Sequence, residues 1–206
     1  MAVRRNSLLL AVTFAISAVL SAVPAAAQFS DSYKFLKAVR DRDGAQVTET
    51  LNGQNSTIVN TRDYTSGESA LHIVVKRRDD LWTRFLLAKG ANPDIRDQAG
   101  NTPLIVAAQL GFPEGAAALI DGKANVNATN NSGETALIVA VQRRDMVSVR
   151  LLLAAGANPK IADHIAGMSA RDYAERDSRS AAILKLLDDA GKAKAPDKAQ
   201  VAGPGL

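Results

Sequence analysis

Two histidines and no cysteine bound the chemistry open to this 206-residue chain. Without thiols there is no sulfur nucleophile, no disulfide exchange and no zinc held by thiolates. His72 and His164 are far apart in the sequence, and neither is accompanied by the further ligands or the base partner that a metal centre or a nucleophilic site requires. The adjacent acids Asp79-Asp80 and Asp188-Asp189 do not form a working acid/base pair, because neighbours i and i+1 on a helix point in different directions. They read as solvated or capping carboxylates. No Gly-x-Ser-x-Gly elbow, phosphate loop or His-Glu-x-x-His helix occurs. The expectation is no catalytic residue, no cofactor and no metal; an enzyme would have to use residues that carry no signature.

The elements that must position any site announce themselves by repetition. Gly-Glu-Ser-Ala-Leu-His-Ile-Val-Val from Gly67 returns as Gly-Asn-Thr-Pro-Leu-Ile-Val-Ala-Ala from Gly100 and Gly-Glu-Thr-Ala-Leu-Ile-Val-Ala-Val from Gly133, each start 33 residues after the last. Ala-Lys-Gly-Ala-Asn-Pro-Asp from Ala88 recurs at the same interval from Asp121 and Ala154. A period of this length signals stacked supersecondary units. Ser69, Thr102, Thr135 and Ser169 precede apolar helical runs and read as N-caps, and Pro103 suits a first helical position. Leu71, Val74 and Val75, like Leu104, Ala107 and Ala108, give the i, i+3, i+4 stripe of a helix with one buried face. Second apolar runs follow at 85–87, 119–120 and 151–153, two of them closed by Gly90 and Gly156 at left-handed positions.

These motifs resemble the ankyrin repeat. The resemblance implies an all-α solenoid of about five helix-turn-helix units with short β-hairpin loops, at about 32–62, 63–96, 97–129, 130–162 and 163–190. The end units are atypical, as capping units are, and the last hairpin, around His164, is one residue longer. In that register His72 occupies the family's histidine slot, where the imidazole makes structural hydrogen bonds between turns. His164 falls at a hairpin tip, and Trp82 packs against the core. The family meets its partners on a concave face of hairpin tips and first-helix ends, which marks Arg40, Lys76, Arg77, Gln109, Leu110, Gln142, Arg143 and Arg176 as exposed partner-binding positions, with tips at 65–68, 98–101 and 131–134. Basic residues predominate among them, so an acidic protein partner is expected, although a charge run is also a common solvated face.

Three departures from the repeat pattern carry expectations of their own. Arg78 and Arg144 stand where Gly111 stands, and an arginine strained in a left-handed turn predicts a different turn there. Lys123 stands where Gly90 and Gly156 stand, which predicts a different end to that helix. Gly115-Ala116-Ala117-Ala118 gives the middle unit a thin outer helix and marks it as the least stable.

The ends follow another logic. Arg4-Arg5 before an uncharged apolar stretch from Leu8 to Val23, closed by Ala25-Ala26-Ala27, reads as a secretory signal at 1–27, cleaved after Ala27. The alternative, an uncleaved anchor, is disfavoured by the short span and by Pro24; twin-arginine export is a second route. Without those residues Lys plus Arg falls from 25 to 23 against 21 acids, a charge of +2, too little for a nucleic-acid footprint. A periplasmic or secreted monomer is expected, with no membrane insertion once the signal is gone. Residues 191–206, small, polar and rich in Pro and Gly, read as a flexible tail.

Overall fold

The computed structural model describes residues 25–53 and 57–193. They form ten α-helices in five antiparallel pairs: α1 (Ala25–Asp41) with α2 (Gly44–Asn52), α3 (Ala70–Lys76) with α4 (Asp80–Ala88), α5 (Pro103–Leu110) with α6 (Pro113–Asp121), α7 (Ala136–Gln142) with α8 (Met146–Ala154), and α9 (Ala170–Arg176) with α10 (Ala181–Ala193). The first helices of the pairs, α1, α3, α5, α7 and α9, stack as an inner layer, and α4, α6, α8 and α10 stack outside them. Among the described residues three of the four hairpins between units are each reduced to a single antiparallel bridge, Arg62 to Ser69, Thr129 to Thr135 and Ala162 to Ser169. Leu71, Leu104 and Leu137, equivalent by the repeat, are each about 1% exposed and join one continuous core with Val39, Leu86, Leu119 and Leu152. No unit could bury that surface alone; stacking does it.

The helix starts follow the sequence. Thr102 and Thr135 accept bonds from Ile105 N–H at 3.4 Å and Ile138 N–H at 3.2 Å, and Ser169 forms a reciprocal capping box with Asp172. Pro103 sits in the first turn of α5.

The helix ends correct the expectations about Arg78, Arg144 and Lys123. Arg78 (φ 56°), Arg144 (φ 57°) and also Arg42 (φ 60°) adopt the same left-handed backbone as Gly111 (φ 57°). The turn is not remodelled, because two hydrogen bonds over-determine it. Arg78 N–H reaches Val75 O and Asp79 N–H reaches Val74 O, a pairing repeated at residues 42–43, 111–112 and 144–145, as in a Schellman motif. The following residue then begins the second helix: Asp43, Asp79 and Asp145 cap α2, α4 and α8 through their side chains. Lys123 (φ 69°) likewise keeps the geometry of Gly90 (φ 84°) and Gly156 (φ 88°). Lys123 N–H bonds Ile120 O, and Ala124 N–H bonds Leu119 O. Burial of Ala91, Ala124 and Ala157 behind each turn holds the conformation in place.

In the middle unit, Phe112 stands where the other turns have aspartate. It offers no side-chain cap, but its ring is buried directly over Gly115, where an added Cβ would come within 2.2 Å of it. The glycine that thins α6 is the seat of a phenylalanine. At the C-terminus, α10 runs to Ala193, three residues into the expected tail. Lys192 and Ala193 are adequate helix formers, so the helix continues past Gly191. The signal-like stretch, apart from Ala25–Ala27 in the first turn of α1, and the rest of the tail lie outside the described residues.

Candidate protein-binding face

The hairpin tips are built by short side chains that fold the backbone onto themselves. Asp63 Oδ1 accepts from Thr65 and Ser66 N–H, Asn130 Oδ1 from Ser132 and Glu134 N–H, Asp97 Oδ1 from Asn101 N–H, and Asp163 Oδ1 from Ile165 and Ala166 N–H. Successive tips are joined by one main-chain bond each, between 2.8 and 3.1 Å. Each tip is therefore fixed in itself and against its neighbour.

Beneath the tips, the last turns of the inner helices carry a row at matching positions: Lys76, Gln109, Gln142 and Arg176, all exposed. Three of these bond a side chain eight residues earlier, at the base of their own hairpin: Lys76 to Glu68, Gln109 Nε2 to Asn101 Oδ1 at 3.4 Å, and Arg176 to Met168 Sδ at 3.1 Å. The row is polar at its centre and cationic at its ends. Arg40 and Arg143, from the same face, are exposed as expected.

Arg77 and Leu110 are not exposed positions. Only 17% of the Arg77 side chain is exposed. Its guanidinium lies 5.0 Å from the Trp82 ring centroid, donates to Val39 O of the preceding unit and pairs with Asp79 at 3.1 Å. Burial lowers its pKa, with Asp79 opposing the shift. The cation fills the seam between the first two units and is a structural residue. Its equivalent Arg143 remains in solvent, because Ser148 stands where the aromatic lid of Trp82 would be. Leu110 is half-buried and packs against the core. Asn101, expected at a tip, is 8% exposed.

The cationic character is also redistributed. Arg40 pairs with Asp63 at 2.8 Å and Lys76 with Glu68, so the exposed cations in the first half of the face are neutralised by its own tips. The Arg40 pair and the amides of Ser66 and Thr65, the Ser66 amide most, hold the Asp63 carboxyl down at about 2. Arg143 lies against Gly111, and Arg176 meets a thioether rather than a carboxylate. Among the described residues, Arg143 and Arg176 of the last two units are thus the cations of the face that no carboxylate pairs.

His72 behaves as the resemblance implied. It is fully buried; Ser69 N–H donates to its Nδ1 at 3.2 Å, which leaves Nε2 as the protonated nitrogen, 3.0 Å from Asn101 O in the next unit. Burial pushes its pKa below the usual value, against the pull of the Asn101 carbonyl. Asn101 continues the network, accepting from Asn130 Nδ2 at 3.1 Å. His164 is exposed at its tip. Among the described residues no group of acids and histidines could hold a metal ion, and no helix is long and apolar enough to cross a membrane.

Sequence reasoning missed two side-chain ladders. Asn60, Asp94 and Asn127 accept, through Oδ1, the amides of Asn92, Asn125 and Asn158 in the following unit at 2.7–2.8 Å. Arg62 and Arg96 donate to Arg96 O and Thr129 O. The recurrence of Asx at 60, 94 and 127 was the available signal. A cleft between the first helix and first hairpin, lined by Tyr33, Leu36, Arg40 and Tyr64, had none.

Comparison with known proteins agrees with this geometry. The family model described as ankyrin repeats (3 copies) matches residues 35–130 and 71–163. An ankyrin repeat-containing protein of Treponema pallidum (strain Nichols) is 37% identical over 110 residues, covering 53% of this chain and 37% of its own length. Protein phosphatase 1 regulatory subunit 27 of Homo sapiens is 32% identical over 107 residues, covering 52% of this chain and 68% of its own. Transient receptor potential cation channel subfamily A member 1 of Homo sapiens is 32% identical over 94 residues, 45% of this chain but 8% of the channel. The chain thus spans little more than a third of the Treponema relative and a small part of the channel.

Proposed function

The chain belongs to the ankyrin-repeat family, and from that premise we propose that it is a non-catalytic binding module that holds a partner protein on its tips and inner-helix row after export to the periplasm. The family is one of protein-interaction modules, but a shared fold does not choose the partner. The observation that carries the proposal is the row Lys76, Gln109, Gln142 and Arg176. These side chains face solvent, and three of the four are held by bonds to their own hairpins. Side chains already fixed lose less conformational entropy when a partner arrives.

The acidic-partner reading is retained in a narrower form, centred on Arg143 and Arg176. The test is capture of partners from periplasmic extract on immobilised protein, comparing wild type, the double reversal Arg143→Glu/Arg176→Glu and the control Lys185→Glu on α10. The double reversal is expected to reduce capture sharply and to weaken its salt dependence, because steering by clustered charge is screened over about 8–10 Å at ordinary ionic strength. Equal capture by all three proteins overturns the assignment of the face. The mass of the exported protein tests the address: a chain beginning at Gln28 supports it, and one retaining Met1 in the membrane does not.

A further inference from the structure

The spacing of the inner-helix row selects the shape of what can lie along it. Gln109, Gln142 and Arg176 hold one position in α5, α7 and α9, which pack directly against each other. Packed helices stand about 8–10 Å apart, so the row presents one polar side chain per interval of that length.

The Gln109 carboxamide is oriented by a chain of bonds beneath it. Asn130 Oδ1 is taken by the amides of Ser132 and Glu134, so its Nδ2 is the atom that meets Asn101, at 3.1 Å. Asn101 Nδ2 donates to Asp97 Oδ2 at 3.2 Å, which fixes Asn101 Oδ1 as the acceptor for Asn130. The same oxygen accepts from Gln109 Nε2 at 3.4 Å. Gln109 therefore spends its nitrogen on the network, and among the described residues nothing donates to its Oε1. The side chain is exposed, so this acceptor is offered to solvent. The two cations without a carboxylate belong to the same stretch: Arg143 lies beside Gly111 at the end of α5, and Arg176 rests on the Met168 thioether, a weak acceptor.

Three backbone shapes can be laid along such a row. A strand shows one face every second residue, about 6.8 Å, and falls out of step with the units. An α-helix returns close to the same face after seven residues, about 10.5 Å, but its main chain is bonded within itself and leaves Gln109 Oε1 without a donor. A polyproline II helix repeats every third residue, about 9.3 Å, so every third side chain shares a face, and its main-chain groups are unbonded. Both the interval and the outward acceptor are met by this third shape.

Resting on the protein-binding reading above, we propose that this part of the face takes a polyproline II segment of the partner whose acidic residues recur at every third position. Its carboxylates meet Arg143 and Arg176, and a main-chain N–H of the same segment donates to Gln109 Oε1. The residue over Gln109 is accordingly not proline.

Fluorescence anisotropy on the full chain tests this with two labelled peptides, one of Glu-Pro-Pro repeats and an isomer of the same composition with its glutamates run together. The repeat peptide is expected to bind about tenfold more tightly than the isomer, because its acids reach both arginines at once. Arg143→Glu/Arg176→Glu should abolish that preference. Gln109→Leu, with unchanged circular dichroism, should weaken the repeat peptide about fivefold by removing one acceptor, without altering its salt dependence. Equal binding of the two peptides, binding of neither, or repeat-peptide binding untouched by Gln109→Leu overturns the proposal and leaves the acidic-partner reading standing. Partner capture that survives the double reversal, with the peptides discriminating as expected, removes that reading and supports the polyproline II site.

Discussion

Arg77 and Arg143 share a position in the repeat and have opposite fates, decided by what stands five residues later. Trp82 gives Arg77 an aromatic face and drives it into the seam; Ser148 leaves Arg143 in water. A register taken from sequence places the backbone and not the side chain, so both arginines look alike until the neighbouring layer is known. Arg77→Glu should therefore lower the denaturant midpoint, since it sets a carboxylate beside Asp79 and the Val39 carbonyl, whereas Arg143→Glu should leave it within about 0.5 kcal/mol of wild type. Equal stability losses would refute the distinction. His72 was legible from its slot, and its environment adds a pH dependence. Its folded pKa lies below the unfolded value near 6.5, so the unfolded chain binds the proton first. Stability is full above about pH 6.5 and falls as the pH drops below it, toward the folded pKa. His72→Asn should flatten that limb in denaturant midpoints taken at pH 7.5 and 5.5, while leaving the acid limb below about pH 4, where Asp63 and Asp177, both held at about 2, take up protons.

Helix starts could be read from single residues, but helix ends could not. A cap is one side chain bonding one amide. The turn at Arg78 or Lys123, by contrast, is set by two main-chain bonds and a buried residue behind it, and it overrides the preference of the residue in the turn. The left-handed strain on a non-glycine is about 1 kcal/mol. Arg78 and Arg144 recover some of it by reaching into the next unit, Arg78 to the carbonyls of Leu110 and Gly111 and Arg144 to Asp177. Among the described residues Lys123 makes no such bond, so Lys123→Gly should stabilise the chain by roughly 0.5–1 kcal/mol in chemical denaturation; a loss would show that the lysine contributes a contact. Phe112 over Gly115 shows the same limit within α6. Composition alone made that helix thin, but the missing volume is supplied from the turn. Phe112→Ala is expected to cost about 3–5 kcal/mol, comparable to or above Leu104→Ala at about 2–5, and Leu110→Ala should cost about 1. A Leu110→Ala midpoint equal to wild type would return that residue to the exposed face.

At the scale of the whole array, repetition made the number of units, the two layers and the common core visible before any coordinate was known. The charge of the binding face was not visible, because it depends on pairs whose members lie 8 to 23 residues apart, and only folding brings Asp63 to Arg40 or Glu68 to Lys76. One feature of the array bears on how such a chain changes over generations. The carboxamides and carboxylate at 60, 94 and 127 each hold an amide one unit ahead, and those partners are alike. Excising residues 95–127 leaves Asp94 facing Asn158 with the same bond to make, and duplicating them inserts one more identical join. Unequal crossing-over can thus lengthen or shorten the protein and still make this join, until Lys160, whose side chain carries no acceptor, ends the series.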